Sequence, residues 1–212
     1  MKTLKLLFVT ACVFLLSCNK SNEVEVMPCC PTCSILFQPY DSVSYQEAQR
    51  LAQTFGYQLS SLLGDINVRE VSVLPVKLLT NQQLNSTNTR YRAEKILKYQ
   101  NDIAKDMIKD EHFDVIIGLT SKDISTSLHN IDDYGIQGLS YIGKNNCVVS
   151  TFRIKNKKDV WKLVAHEFCH GYFYTQMRHC PADDPTCIMR DGHGKPNWKK
   201  RTKICNKCLG RQ

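Results

Sequence analysis

The sequence predicts an α/β (α+β) fold: a mixed sheet with helices packed on it and a small Cys-rich part at the C-terminal end. Three observations carry this. Strand-like apolar runs alternate with helix-like periods along the chain. Val115-Ile116-Ile117-Gly118-Leu119 is an unbroken apolar run, the pattern of a strand buried on both faces. From Cys180 onward the chain is rich in Cys, Pro, Asp and Lys and follows no apolar period.

The elements follow in order. Ser34-Ile35-Leu36-Phe37-Gln38 predicts the first strand. Ser44-x-x-Glu47 is a capping-box signal that opens a helix. Ala48, Leu51, Ala52 and Phe55 continue it at helical spacing, and Gly56 is placed to end it. Glu70 to Leu79, rich in Val and Leu, predicts a second strand. A longer helix is expected from Thr89 to Lys109, with one apolar stripe through Ala93, Ile96, Leu97, Ile103, Ala104, Met107 and Ile108. The apolar strand over 115–119 comes next. Two β-like runs follow, Leu139 to Ile142 and Cys147 to Phe152, separated by the turn-rich Gly143-Lys144-Asn145-Asn146. The last helix is expected from Lys157 to Tyr174.

A length of 212 residues suits one domain, alone or with a small appendage. With 42% hydrophobic and 23% charged residues there is material for a sizeable core. The net charge of +8 is moderately basic. Its excess gathers in Lys195, Lys199, Lys200, Arg201, Lys203, Lys207 and Arg211. These interleave with cysteines, as on the solvated face of a metal-bound knot, so no nucleic-acid partner is expected.

Lys2 and Lys5 precede an apolar run from Leu6 to Leu16, too short to span a bilayer as a helix. Leu15-Leu16-Ser17-Cys18 closes it and resembles the lipobox of bacterial lipoproteins. The resemblance implies a signal peptide over 1–17, acylation of Cys18, a tether over 18–33, and a chain held to a membrane outside the cytoplasm. An ordinary secretory signal with an incidental cysteine is the alternative. Cys29, Cys30 and Cys33 cluster in the tether with no role assigned.

The sharpest feature is His166-Glu167-Phe168-Cys169-His170. Residues four apart on a helix share a face, so both imidazoles can bind one zinc ion. Glu167, beside them, is the candidate general base for water attacking a peptide carbonyl. Cys169 reads as a small buried residue. A catalytic zinc needs a third protein ligand. His179 is the candidate, with Asp183, Asp184 and His193 as substitutes. The chain reaches it either by running the helix about one turn further or by ending the helix at Gly171.

After His179 come Cys180, Cys187-Ile188-Met189 and Cys205-Asn206-Lys207-Cys208. Four cysteines, two in a C-x-x-C knuckle, suit a closed tetrahedral thiolate site. A pair of disulfides is the alternative in an oxidising compartment.

Taken together, these residues resemble the archaemetzincins, whose signature runs H-E-x-x-H-x-x-G-x-x-H-C, then C-x-M, then C-x-x-C. His166, Glu167, His170, His179, Cys180, Cys187, Met189, Cys205 and Cys208 follow in that order. Phe173 stands at the glycine position and Gln176 at the third histidine. The spacings before His179, between Cys180 and Cys187, and from Met189 to Cys205 also differ. Upstream, Tyr91-Arg92-Ala93, Gly118-Leu119-Thr120-x-x-Asp123 and the run from Val148 to Arg153 look like the family's body, so the likeness covers about 34 to 208.

The resemblance implies a metzincin-like catalytic domain over 34–179, completed by a Cys-rich part over 180–212. It implies two zinc ions, a catalytic one on His166, His170 and His179 and a structural one on Cys180, Cys187, Cys205 and Cys208. Met189 becomes the Met-turn floor under the catalytic metal. The strand near Leu139 to Ile142 becomes the sheet edge that pairs with an extended peptide. The expected partner is a peptide or protein substrate, handled by a monomer. A zinc-stabilised envelope protein that binds without turnover is the rival expectation, motivated by the altered third-ligand spacing.

Overall fold

The computed structural model describes residues 32–64, 66–110, 113–141, 144–172, 179–180, 184–192 and 196–210. The signal over 1–17, Cys18, Cys29 and Cys30 lie outside them. No helix among the described residues is long and apolar enough to cross a membrane.

The main sheet is built from β1 (Thr32–Pro39), β2 (Asn67–Val73), β4 (Val115–Thr120), β7 (Gly138–Ser140) and β8 (Asn146–Ser150), in the order β2-β1-β4-β8-β7. Neighbours are parallel except β7, which runs antiparallel to β8 at the edge. A smaller sheet, β3 (Tyr91–Arg92), β5 (Ile124–Leu128) and β6 (Ile131–Ile136), leads into β7. Three helices pack on the main sheet: α1 (Tyr45–Leu63), α2 (Ala93–Asp110) and α3 (Val160–Tyr172).

Strand alternation divides the core. Ile35, Phe37, Val115, Ile117, Cys147 and Val149 face α1 and α3, whereas Leu36 and Ile116 face α2. The connections dictate this arrangement. The crossover from β1 to β2 and the one from β2 to β4 run in opposite directions along the sheet. Right-handed crossovers then put α1 and α2 on opposite faces. Phe55 of α1 locks the α1–α3 layer, with its ring edge-on to Phe37 at 5.9 Å and to Phe168 at 5.5 Å.

Several expectations need correction. β1 begins at Thr32, so Thr32 and the fully buried Cys33 belong to the sheet and not to the tether. α1 passes through Gly56, carried on by Leu59 and Leu63, and ends at Gly64, whose φ of 73° suits only a residue without a side chain. β2 starts earlier than expected and stops at Val73, ahead of Pro75, which has no N–H for a ladder. Tyr91 and Arg92 are strand and not helix, and α2 starts after them.

The hairpin β5–β6 went unread because its strands carry Ser, Thr and Asp in place of an apolar run. Its signal is the Ile124-x-Thr126-x-Leu128 alternation ahead of His129-Asn130, which turn the chain at φ 52° and 61°.

Candidate metal centre

α3 is apolar nearly all round because the sheet, α1 and the C-terminal segment enclose it. Leu163, Val164, Ala165 and Phe168 fix its rotation in the core. That rotation turns His166 and His170 to one side, with their Nε2 atoms 3.2 Å apart. His179 arrives from beyond the helix, its ring centroid 5.5 Å from that of His166 and 5.0 Å from that of His170. One nitrogen from each ring lies within 4.8 Å of the other two. Two nitrogens bound to one tetrahedral ion at 2.0–2.1 Å are about 3.3 Å apart, so the pair on α3 fits zinc.

His166 is tied down from behind. Its Nδ1–H donates to the carbonyl of Ile188 at 2.8 Å, which leaves Nε2 as the free lone pair toward the cradle. Burial, followed by the neighbouring His170, holds its pKa well below the ordinary value. A neutral ring is the form that ligates a metal. Arg201 donates to the same Ile188 carbonyl at 3.1 Å and stacks on Trp198 at 4.5 Å. Trp198 in turn donates to Gln137, the residue between β6 and β7, at 2.8 Å. Lys162 of α3 holds the Trp198 carbonyl at 2.9 Å. Asp191 stands 3.7 Å from Nδ1 of His179.

Glu167 lies on the side of α3 that meets β7. A Cβ on Gly138 would sit 2.6 Å from the Glu167 carboxylate, and one on Gly171 would sit 2.7 Å from Ser140 Oγ. Glu167 and Gly171 are one helical turn apart, and Gly138 and Ser140 share one strand face. The missing side chains thus let helix and edge strand close on each other. Burial pushes the Glu167 carboxyl up to about 8, and a cation placed beside it acts in the opposite direction. The cleft along β7 is about 320 Å³ and is lined by His166, Glu167 and His179 on one side and Gly135 to Gly138 on the other.

The second cluster is sulfur. Cys180, Cys187, Cys205 and Cys208 are all free thiols whose Sγ atoms lie within 4.8 Å of one another. The separations are 3.4 Å for Cys180–Cys205, 3.5 Å for Cys205–Cys208 and 3.8 Å for Cys187–Cys208. Bonded sulfurs would be about 2.05 Å apart. Four thiolates around zinc, each at about 2.3 Å, would be about 3.8 Å apart, so the cluster has the dimensions of a closed tetrahedral site. Burial pushes the Cys187 thiol up to about 11, and the Cys205 amide, which donates to Cys187 Sγ at 3.4 Å, opposes that shift.

No family model matches the chain, and no curated protein is a significant match. Solved structures do match. The archaemetzincin from Archaeoglobus fulgidus, complexed with malonate, aligns with a TM-score of 0.56 at 21% identity, over 84% of this chain and 98% of that one. The archaemetzincin from Methanopyrus kandleri aligns at 0.60 and 19%, over 84% and 92%. A zinc-dependent peptidase from Methanocorpusculum labreanum aligns at 0.60 and 20%, over 82% and 97%.

The chain has the archaemetzincin fold.

Within this archaemetzincin fold the sequence motifs fall as follows. α3 continues past Gly171 to Tyr172, so that glycine packs against β7 and does not end the helix. Residues 173–178, Asp183 and His193 lie outside the described residues. Asp184 is engaged elsewhere, accepting from Thr186 at 2.7 and 2.8 Å and pairing with Lys203 at 3.4 Å. Cys169 is fully buried and packs in the core. Met189 is fully buried in the turn behind His166, where its carbonyl accepts from the Cys180 amide at 2.8 Å.

Sequence reasoning missed Gln137, Gly138, Asp191, Trp198 and Arg201. None belongs to a spaced motif. Trp198 alone carried a signal, as the one Phe, Trp or Tyr after Cys180.

Proposed function

We propose that this chain is a zinc-dependent peptidase that hydrolyses peptide bonds with Glu167 as general base. The observation that carries the reading is the convergence of His166, His170 and His179 on one point, next to a carboxylate in an open cleft. His166, His170 and His179 would hold the catalytic ion. Bound there, zinc supplies Lewis acidity that polarises a carbonyl and makes water more acidic. Glu167 accepts the proton of the attacking water and returns it to the departing amine. Gly138 presses on Glu167 and fixes its carboxylate, while β7 offers the free sheet edge along which an extended substrate lies. Cys180, Cys187, Cys205 and Cys208 would hold a second, closed zinc ion.

The lipobox-like Leu15-Leu16-Ser17-Cys18 supports a place for this activity: outside the cytoplasm, anchored to a membrane through acylated Cys18. The substrate is then a peptide or protein of that compartment, and the chain acts as a monomer.

Two measurements test the reading. The mature protein is expected to contain two zinc ions per chain by elemental analysis, and to cleave members of a peptide library until a chelator is added. A metal-loaded protein that leaves every peptide intact would overturn the assignment. Gly138→Ala is expected to keep the zinc content and cost about 10² in kcat/KM, because the added methyl displaces the base by roughly 1 Å. Unchanged turnover in that variant would show that the contact positions nothing.

A further inference from the structure

We propose that the cleft reads a carboxylate on the substrate through Arg153, within about three residues of the scissile bond. The proposal rests on the peptidase reading above and adds the substrate class. Arg153 follows β8 and lines the cleft, as does Arg201. Arg201 is almost wholly buried and spent on the Ile188 carbonyl and the Trp198 ring. Arg153 is different: a third of its side chain is exposed.

Its orientation is set from one edge. Asp123 takes Nε at 2.7 Å and Nη2 at 2.9 Å, a two-pronged grip that leaves the guanidinium no free rotation. Nη1 makes no hydrogen bond or ion pair among the described residues. Asp123 is itself held by Arg90 at 2.8 Å, and Arg90 reaches Asp133 at 2.8 Å. The result is an alternating chain of charges, Arg153–Asp123–Arg90–Asp133. Only its first member touches the cleft. The set is neutral in sum, yet it presents its positive end where substrate lies.

Gly135 accommodates this end. A Cβ there would meet Arg153 Nη2 at 2.0 Å, so the guanidinium lies flat against bare backbone. The same relation joins Gly138 to Glu167, at 2.6 Å. The two contacts calibrate the distance from the catalytic base. Three residues of extended chain span at most about 10 Å, and a substrate strand advances about 3.3 Å per residue. A group bound at Arg153 is therefore up to about three residues from the bond at Glu167. Among the residues that line the cleft, Arg153 is the cation with an exposed, unspent donor edge. A guanidinium with a free donor edge selects a carboxylate, from an Asp or Glu side chain or from the chain end.

The test uses zinc-loaded Glu167→Gln as a non-cleaving trap and three labelled peptides of equal length. One carries an acidic side chain and an amidated end, one is neutral with a free carboxylate, and one is neutral and amidated. Fluorescence anisotropy is expected to show at least one carboxylate peptide binding about tenfold tighter than the amidated neutral one. Which of the two gains identifies side chain or chain end. Adding Arg153→Gln should erase the gain, Arg153→Lys should keep part of it, and raised salt should shrink it. Equal binding of all three peptides would overturn the proposal, as would a preference that survives Arg153→Gln. Should Arg153→Gln fail to fold, the Lys variant and the salt response decide. Carboxylate-selective binding without any cleavage by the unaltered protein would sink the peptidase reading and leave this one standing.

Discussion

Glu167→Gln is expected to retain zinc at the unaltered level and to lose at least about 10³ in kcat/KM toward any peptide the protein cleaves. The substitution is nearly isosteric, so the fit against Gly138 survives. An amide cannot take a proton from water at neutral pH, and Glu167 is the carboxylate that packs against Gly138 beside the three histidines. Metal content should not change, because the side chain is not one of the three converging on the cradle. Elemental analysis and steady-state kinetics on the same sample separate the two effects. Loss of zinc together with activity would make Glu167 a structural support. Undiminished turnover would remove it from the chemistry and favour a base elsewhere in the cleft.

Cys208→Ser is expected to lower stability by at least about 3 kcal/mol, roughly 6–12 °C in Tm for a chain of this length. A site of three thiolates and a hydroxyl binds zinc far more weakly, and a zinc ion held by the four thiols would be part of folding, since Cys187 and Cys208 are buried in the main core. The damage should travel. Ile188, whose carbonyl anchors His166, sits between Cys187 and Met189, and its amide bonds to Lys203 at 2.7 Å. Loosening the sulfur site therefore releases the back of the catalytic cradle, and both zinc ions should be lost on mild chelation where the unaltered protein loses one. Thiol titration in denaturant gives the independent readout: the four late cysteines are expected to react once excess chelator has stripped the metal from the unfolded chain. Protection that withstands chelator and yields only to a reducing agent would mean disulfides.

The legibility of the site divides by chain distance. His166, Glu167 and His170 could be read because four residues make one helical turn, so their geometry is local. The sulfur cluster could be read because a C-x-x-C knuckle is local too, with two partners supplied by order along the chain. His179 was reachable only as a candidate among four, since a loop of altered length separates it from α3. Arg201, Asp191 and Gln137 were out of reach. Each acts through contacts that the fold makes, Arg201 with Ile188 and Trp198, Asp191 with His179 and Gln137 with Trp198, and an isolated Arg, Asp or Gln has no period to betray it. The hairpin β5–β6 was lost for a related reason. One of its faces is solvated, so its strands lack the apolar runs by which β1 and β4 were recognised.

By itself, then, the sequence determined what depends on near neighbours. It set the alternation of strands and helices, the helix that carries two imidazoles and a carboxylate on adjacent faces, and the supply of four late thiols. Only the tertiary structure decided where the third imidazole goes, that Gly138 and Gly171 let β7 close on Glu167, and that Arg153 ends a chain of charges at the cleft. The physical reason is range. Backbone hydrogen bonds and side-chain periodicity act within a few residues and are written in spacing. Contacts across the sheet depend on how the strands are ordered, and that order is fixed by the packing of the whole core.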